Sequence, residues 1–221
     1  MDIVLFGKPG AGKGTQAPRI AAALGVPTVA TGDVLRAAVR AGTPMGLAAK
    51  AFMDRGDLVP DDVILGIMKE SLGKGDLAAG SLLDGVVRTT PQAEGMSRVL
   101  RELGRQIDAV LMFDIDDDEL VQRLSSRTVC EQCQTPYTGR AAGTACEKCG
   151  GTLMRRKDDE PEAVRNRLAV YQCQTAPVLD WYTQQGTGIV TVDAVGSVDD
   201  VTRRALDGLA TLGIGGNGQR R

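Results

Sequence analysis

The chain has 221 residues, of which 43% are hydrophobic and 3% aromatic, and its 26 basic and 28 acidic side chains give a net charge of −2. This composition predicts a soluble globular domain and provides no overall positive field to attract nucleic acid. Because histidine is absent, the chain cannot use Ser-His-Asp or Cys-His catalysis, a histidine metal ligand or a histidine general base.

Short apolar runs alternate along the chain with longer stretches of helical periodicity. We expect strands at residues 3–6, 26–30, 81–83, 110–113 and 188–192. We expect helices after the first strand up to residue 24 and then at residues 33–42, 44–55, 60–72, 91–103, 117–125, 160–185 and 197–212. Asp33 is the expected N-cap of the second helix, and Pro177 is expected to interrupt the seventh. This alternation is typical of a doubly wound α/β fold, here with a five-stranded parallel sheet flanked by helices.

Two stretches depart from the alternation. Residues 31–59 read as helical without a strand, which predicts a helical insertion. Residues 128–154 are rich in Gly, Thr and Cys and lack apolar periodicity, so they cannot build a core of their own and need a cross-link. No apolar run approaches the roughly 18 residues of a membrane span, and no signal-type leader opens the chain. We therefore expect a cytoplasmic protein that does not contact membranes.

A glycine-rich loop at residues 7–15, reading GKPGAGKGT, follows the first strand and opens a helix. Glycines allow a tight turn whose N–H groups point inward, and the helix N-terminus and Lys13 add positive charge for phosphates. The strict motif has Ser or Thr directly after the lysine, whereas Gly14 precedes Thr15 here. The plain alternative is a strand-to-helix turn with an incidental lysine. Lys8 is expected to add a further charge beside the phosphates.

Arginines follow strand ends or flank the two irregular stretches: Arg36, Arg88, Arg123, Arg127, Arg156 and Arg167. Guanidinium groups bind phosphate oxygens in pairs, and several of them around one nucleotide pair would neutralise a phosphoryl group in transfer. The plain alternative is that these arginines lie on solvated faces.

Carboxylates stand at two informative places. Asp84 ends a strand, where it could hold Mg²⁺ or its waters. Asp158 and Asp159 lie beside Arg156 and precede a helix, so they either cap that helix or position arginines.

Four of the five cysteines form two Cys-x2-Cys pairs, Cys130 with Cys133 and Cys146 with Cys149. Four thiolates in this spacing predict a closed, structural zinc site, with iron as the alternative metal. Cys173 lies outside the pattern and reads as an ordinary helix cysteine.

The motifs together resemble those of the adenylate kinase family in its long bacterial form with a zinc-bearing lid. The resemblance rests on residues 7–16, TGDVLR at 31–36, Asp84-Gly85 with Arg88 and Gln92, and RKDD at 156–159 with Arg167. It implies a P-loop nucleoside-kinase fold with a core at residues 1–29, 60–125 and 160–221. It further implies a nucleoside-monophosphate-binding insertion at residues 30–59 and a lid at residues 126–159.

The resemblance also implies a monomer that catalyses ATP + AMP ⇌ 2 ADP with Mg²⁺. By motif, the residues implied to bind ATP are Gly10, Ala11, Gly12, Lys13, Gly14, Thr15, Arg123, Arg127, Pro136, Tyr137 and Gly196. Those implied to bind AMP are Thr31, Arg36, Asp57, Leu58, Val59, Gly85, Val86, Val87, Arg88, Gln92, Arg156 and Arg167. The implied catalytic set is Lys13, Arg88, Arg123, Arg156, Arg167, Asp158 and Asp159. Where this chain has Val86-Val87, the family usually has Phe-Pro, and we expect the bond before that proline to be cis in the family. This loop is therefore expected to be trans or strained.

Three other functions compete with this interpretation. One is a kinase for UMP, CMP or GMP, and a second is a binding module without catalysis. A third is a P-loop ATPase whose zinc ribbon binds nucleic acid. The ribbon's two bases, Arg140 and Lys148, are offset by Glu131 and Glu147, which argues against the third.

Overall fold

The structure, a computed structural model, describes residues 1–72 and 80–215. Its central sheet contains β1 (Asp2–Gly7), β2 (Thr28–Ala30), β3 (Ser81–Asp84), β4 (Ile107–Asp114) and β8 (Gly188–Asp193). The strands are parallel and ordered β2-β3-β1-β4-β8. All five expected strands and the α/β class are confirmed. β2 begins later than expected, at Thr28, because Pro27 has no N–H to donate to a neighbouring strand.

Helices connect the strands and cover the sheet. They are α1 (Lys13–Leu24), α2 (Thr31–Arg40), α3 (Pro44–Arg55), α4 (Asp61–Leu72), α5 (Thr90–Glu102), α6 (Asp117–Ser126), α7 (Pro161–Val170), α8 (Val178–Gln184) and α9 (Val198–Thr211). Within residues 1–72 and 80–215, none of them has the length and apolar character needed to cross a membrane.

The core has two apolar layers, one on each face of the sheet. Successive residues of a strand point to opposite faces. In β1, Ile3 and Leu5 therefore belong to the cluster that includes residues of α1 and α9. Val4 and Phe6 belong to the cluster that includes residues of α4 and α5. This double coverage explains why the strands read as continuous apolar runs.

Residues 31–59 are helical, as expected, but the first helix of this stretch begins earlier than predicted. α2 starts at Thr31 with Ala30 at the N-cap, so the prediction that Asp33 is the cap is wrong. Asp33 instead lies in the first turn and pairs with Arg36, where a carboxylate also interacts favourably with the helix dipole. The cap of α3 is Thr43, whose side chain accepts a hydrogen bond from the Gly46 N–H at 3.1 Å.

The cysteine-rich stretch contains an antiparallel sheet that periodicity did not predict. Its strands are β5 (Arg127–Cys130), β6 (Pro136–Thr138) and β7 (Leu153–Met154), in the order β6-β5-β7. Strands of two to four residues are too short for alternation to be recognised in the sequence.

The long helix expected at residues 160–185 is divided before its proline. α7 ends at Val170, a wide π-helical turn covers Tyr171–Thr175, and α8 begins at Val178. Pro177 offers no N–H to the preceding turn and its ring would clash with a carbonyl there, so the chain widens ahead of it.

Two further expectations concern the loop after β3 and the domain limits. None of the peptide bonds in the described segments is cis, so the Val86–Val87 bond is trans. The boundaries proposed for the core, the insertion and the lid remain predictions. Positions 73–79 and 216–221 of the predicted core lie outside the described residues.

Candidate active site

The glycine-rich loop turns sharply between β1 and α1. Gly10 and Gly12 have φ values of 92° and 94°, in the left-handed region that favours glycine. A Cβ at Gly10 would also lie 2.8 Å from the Leu124 side chain, so the glycine is needed for conformation and for space. The Lys13 ammonium lies under the loop and donates to the carbonyl oxygens of Gly7 at 2.6 Å and Lys8 at 3.0 Å.

Lys13 shares its surroundings with a carboxylate and a group of arginines. Burial lowers the pKa of Lys13 to about 8; the Asp84 carboxylate opposes this shift, and the positive charge of Arg88 reinforces it. Burial also raises the pKa of Asp84, although Lys13 and Arg88 act in the other direction. The space beside the loop therefore concentrates positive charge in a poorly solvated place, which favours binding of a polyanion.

A cleft of about 910 Å³ opens in front of the loop. The predicted ATP-binding and catalytic residues that line it are Gly10, Ala11, Gly12, Lys13, Gly14, Thr15, Arg88, Arg123, Arg127, Pro136, Tyr137, Arg156, Arg167 and Gly196. Asp84, Arg36, Leu58, Gly85 and Val87 line it as well. The structure thus brings together residues from the loop, the end of β3, α6, the small sheet and α7.

A smaller cavity of about 80 Å³ adjoins this cleft. The predicted AMP-binding residues that line it are Thr31, Arg36, Asp57, Leu58, Val59, Gly85, Arg88, Gln92 and Arg167, and Asp158 lines it too. Arg36, Arg88 and Arg167 line both spaces, so they lie where the two spaces meet. Val86 is 1% exposed, belongs to the core and lines neither space.

Two carboxylates anchor the arginines between the two spaces. Asp159 accepts from Arg127 Nε at 2.7 Å and from Arg167 Nη1 at 3.2 Å, and Asp158 accepts from Arg167 Nη1 at 3.0 Å. They lie in a short 3-10 turn, and the N-cap of α7 is Glu160. Between the two sequence-based alternatives, this geometry favours positioning of arginines over helix capping.

The charges in this cluster alter one another's pKa values. Burial would raise the pKa of Asp158, but Arg167 and Arg156 more than compensate and lower it. Burial lowers the pKa of Arg156 to about 10, and repulsion from Arg36 and Arg127 contributes. Burial and the neighbouring arginines likewise lower the pKa of Arg88 and Arg167. An arriving phosphate would relieve this repulsion.

Lys8 does not contribute to the cleft as expected. Its ammonium donates to Asp117 Oδ1 at 2.7 Å and to the Ile115 carbonyl oxygen at 3.3 Å. The expectation that Lys8 adds a charge beside the phosphates is therefore wrong. Asp117, at the start of α6, is 109 positions away from Lys8 in the sequence. No local pattern in the sequence indicates this pairing.

Gln92 is held on two sides by groups of opposite hydrogen-bonding character. Its Oε1 accepts from the Arg88 backbone N–H at 2.8 Å, and its Nε2 donates to Asp61 Oδ1 at 2.7 Å. Thr89 caps α5 by accepting from the Gln92 backbone N–H, and its hydroxyl donates to Asp61 at 3.2 Å. Gln92 itself is only 2% exposed.

Sequence reasoning missed several side chains that hold the site together. Asn166 donates to Asp57 Oδ1 at 2.7 Å and to the Arg55 carbonyl oxygen at 2.9 Å. Arg55 and Asn166 together lower the pKa of Asp57. Thr175, in the wide turn, donates to the Arg88 carbonyl oxygen at 2.9 Å. None of these residues belongs to a local motif, so only the folded arrangement reveals them.

The four paired cysteines converge at the end of the small sheet. The Cys130 and Cys149 Sγ atoms are 3.4 Å apart, and those of Cys133 and Cys146 are 3.6 Å apart. All four lie within 4.8 Å of one another. Tetrahedral zinc with bonds of about 2.3 Å separates its sulfurs by about 3.8 Å, so the four residues fit such an ion. Cys173 is exposed and apart from this group.

Neighbouring donors favour the thiolate form of Cys133 and Cys146, whereas the pKa of Cys149 is raised by the other cysteines despite a hydrogen bond from the Gly151 backbone. The Thr135 hydroxyl lies 3.1 Å from Cys133 Sγ, and hydrogen bonds from Thr135 lower the pKa of Cys133 to about 6. The Tyr137 hydroxyl lies 3.2 Å from Cys146 Sγ and lowers the pKa of that thiol. Deprotonated thiols are the form that binds metal.

Comparisons with known proteins agree on one family. The adenylate kinase family model matches residues 5–187 of the chain. The chain is 61% identical over 211 residues to an adenylate kinase of Gemmatimonas aurantiaca, covering 95% of this chain and 99% of that protein. It is 47% identical over 205 residues to an adenylate kinase of Methanosarcina barkeri (91% and 94% covered). It is 45% identical over 213 residues to one of Salinispora tropica (95% and 98% covered).

Proposed function

The chain belongs to the adenylate kinase family, the phosphotransferases that interconvert ATP and AMP with ADP, and we propose how its own residues carry out that reaction. ATP binds in the large cleft with its phosphates on the loop at residues 7–15, and AMP binds in the smaller cavity. The observation that carries this proposal is that the two spaces meet at Arg36, Arg88 and Arg167.

Binding of ATP relies on the loop and on the small sheet. Backbone N–H groups between Gly10 and Thr15 and the N-terminus of α1 provide the polarity that phosphates require. Lys13 exchanges its two carbonyl acceptors for phosphate oxygens. Arg123 and Arg127 contact ATP from the base of the lid, and Pro136, Tyr137 and Gly196 contact its nucleoside.

Binding of AMP relies on α2, on the segment that follows α3 and on the loop after β3. Thr31, Arg36, residues 57–59, residues 85–88 and Gln92 surround AMP, with Arg36 and Arg88 directed to its phosphate. Val86 contributes through its backbone and core packing, because its side chain is buried.

Phosphoryl transfer then rests on position and charge. The acceptor is an AMP phosphate oxygen that is already ionised at neutral pH, so no general base is required, and the absence of histidine is no obstacle. Lys13, Arg88, Arg123, Arg156 and Arg167 neutralise the negative charge that spreads over the transferring group. Asp158 and Asp159 keep the arginines in place. Asp84 would hold Mg²⁺ through water, and the ion would supply further positive charge to the ATP phosphates.

Closure of the insertion and the lid over both substrates excludes water, which would otherwise compete as the acceptor. We propose residues 30–59 and residues 126–159 as these two closing parts. The remainder of the chain is the core.

We further propose that Cys130, Cys133, Cys146 and Cys149 bind structural zinc, with iron as the alternative. Four thiolates leave no open coordination position, which favours a structural over a catalytic role. The protein is proposed to act as a cytoplasmic monomer with ATP, AMP and ADP as its partners, and without nucleic acid.

The experiment that tests this function is a panel of monophosphate acceptors. Purified protein is supplied with MgATP and AMP, GMP, CMP or UMP in turn, and formation of diphosphates is followed. We expect turnover with AMP to exceed turnover with each other acceptor. Equal or faster turnover of UMP than AMP would contradict the assignment of the acceptor. Metal quantitation on the same sample should give one zinc per chain, and iron would contradict the metal proposed.

A further inference from the structure

We propose that Asp61, which lines neither cavity, is a positioning residue that fixes the orientation of the Gln92 amide and thereby the preference for adenine in the monophosphate. The inference deepens the proposed function and rests on it. It starts from the contacts behind Gln92, on the side where α4 begins.

The two partners of Gln92 admit only one amide orientation. The Arg88 backbone N–H can only donate, and it faces Gln92 Oε1 at 2.8 Å. An ionised aspartate can only accept, and Asp61 Oδ1 faces Gln92 Nε2 at 2.7 Å. A flipped amide would set donor against donor at Arg88 and acceptor against acceptor at Asp61. With Gln92 2% exposed, water cannot readily compensate for these losses.

Two further interactions fix the position of the Asp61 carboxylate. It is the first residue of α4, where a carboxylate interacts favourably with the helix dipole. It also accepts from the hydroxyl of Thr89, the N-cap of α5. The carboxylate therefore joins the start of α4 to the start of α5 and cannot swing away from Gln92 without losing both contacts.

These contacts leave the amide with a defined remaining capacity. A primary amide has two N–H donors and two acceptor lone pairs. One donor is directed to Asp61 and one lone pair to Arg88, so one N–H and one lone pair remain for a ligand. Gln92 lines the smaller cavity, whereas Asp61 lines neither cavity.

The remaining N–H and the remaining lone pair of Gln92 determine which edge of a base the amide can bind. The exocyclic group of adenine is a donor, N6–H₂, and the equivalent group of guanine is an acceptor, O6. The ring nitrogens differ in the opposite sense, because adenine N1 accepts and guanine N1–H donates. An amide fixed in one orientation matches one of these edges, whereas an amide free to flip matches both. A site built around one polarity rejects the other because buried polar groups are then left unpaired.

The experiment compares the full-length wild type with D61A, D61N and the control D62A, using saturating MgATP and varied AMP or GMP. Asp62 shares the first turn of α4 but is exposed and makes no hydrogen bond with Gln92. For D61A we expect the KM for AMP to rise about tenfold, because the buried Gln92 amide loses its charged acceptor. The AMP-over-GMP ratio of kcat/KM should fall by a similar factor, while kcat and the KM for ATP change less than twofold. D62A should behave as the wild type.

Two further variants separate positioning from a structural role. D61N retains an acceptor oxygen of the same shape without its charge, so its KM for AMP should lie between those of the wild type and D61A. In a Q92A background, D61A should add no further change, because Asp61 acts through Gln92. If D61A does not fold, D61N provides the test. Its KM for AMP should rise about threefold, which corresponds to half of the free-energy loss expected for D61A.

Unchanged AMP selectivity in D61A, or in D61N where that variant carries the test, would overturn the role of Asp61. An equal rise in the KM values for AMP and ATP would overturn it as well, because it would indicate general damage. A wild type that does not phosphorylate AMP would instead overturn the proposed function, and the two failures are therefore distinguishable.

Discussion

Arg127 and Asp159 form an ion pair that joins the two ends of the cysteine-rich stretch. Arg127 Nε lies 2.7 Å from Asp159 Oδ2, its Nη2 contacts the other carboxylate oxygen, and the Asp159 side chain is only 4% exposed. Arg127 begins β5, whereas Asp159 ends the turn before α7. The pair therefore closes the base of the proposed lid and holds the Arg127 guanidinium, which we propose to bind ATP, at the cleft.

Removal of Asp159 should damage both stability and catalysis. D159N removes the charged partner of Arg127 and one of the two carboxylates that face Arg167, which keeps Asp158. Breaking a buried pair from one side costs about 3–5 kcal/mol. We expect a lower denaturation midpoint and at least about tenfold lower kcat/KM for ATP, because misplaced groups lose pre-organisation. The matched control is D117N, which breaks the exposed pair with Lys8 and should change both values little. Wild-type kinetics in D159N would contradict the positioning role.

The two lysines of the glycine-rich loop should behave differently on substitution. K13A removes the ammonium that we propose to contact the ATP phosphates, and loss of one such electrostatic contact lowers kcat roughly 10²–10³-fold. K8A removes a group directed at Asp117, so kcat should stay within about twofold of the wild type. Steady-state kinetics with circular dichroism as a folding check measures both. A larger loss in K8A than in K13A would contradict the geometry of the loop.

The pKa of Lys13, lowered to about 8, predicts a pH dependence of ATP binding. Lys13 must be protonated to attract phosphate, so kcat/KM for ATP should fall above pH 8, approaching tenfold per pH unit. The dependence of kcat should appear at higher pH, because bound phosphate favours the charged form. A profile of kcat/KM that stays flat to pH 10 would contradict this. The control is the KM for AMP of the wild type over the same range.

The same shift has a defined sign in protein stability. The folded pKa of Lys13, about 8, lies below its ordinary value of 10.5, so between these values the unfolded chain binds more protons. The destabilisation from burying this charge is therefore complete below pH 8 and is lost as pH rises towards 10.5. Urea unfolding of wild type and K13A should show the variant gaining stability relative to the wild type at pH 7. That difference should shrink by pH 10.

Metal removal should destabilise the cysteine-rich stretch. Only Cys130, Cys146 and Leu153 form its small buried cluster, so it depends on a cross-link. Removing the metal with a chelator should lower Tm by more than about 5 °C. C149S should lose the metal and show the same decrease in Tm. C173S, which changes a cysteine away from the cluster, should keep both the metal and the wild-type Tm. An unchanged Tm after confirmed removal of the metal would contradict a structural role.

The sequence was informative where structure is local. The apolar runs at residues 3–6 and 110–113 predicted strands because they are buried on both faces. The glycine-rich loop predicted a tight turn between the first strand and the first helix, and the structure has that turn. The Cys-x2-Cys pairs predicted their convergence because two knuckles suffice to define a tetrahedral site. Each of these features depends on residues close together in the chain.

The sequence was uninformative where partners are distant or elements short. Lys8 pairs with Asp117 and Gln92 with Asp61 through contacts between separate elements, and no periodicity encodes them. The predicted start of α2 is wrong because Asp33 is a residue type common at N-caps but lies inside the helix, where it pairs with Arg36. The sequence predicts a break at Pro177, whereas the wide turn at Tyr171–Thr175 precedes the proline that causes it.

The most direct test of the central claim is to follow the terminal phosphoryl group of ATP. The protein is incubated with ATP labelled at the γ-phosphate, with AMP and Mg²⁺, and the products are separated. We expect label in the β-phosphate of ADP and two ADP formed for each ATP consumed, with no free phosphate. Release of labelled inorganic phosphate with AMP unchanged would contradict it, because the cleft would then transfer the group to water.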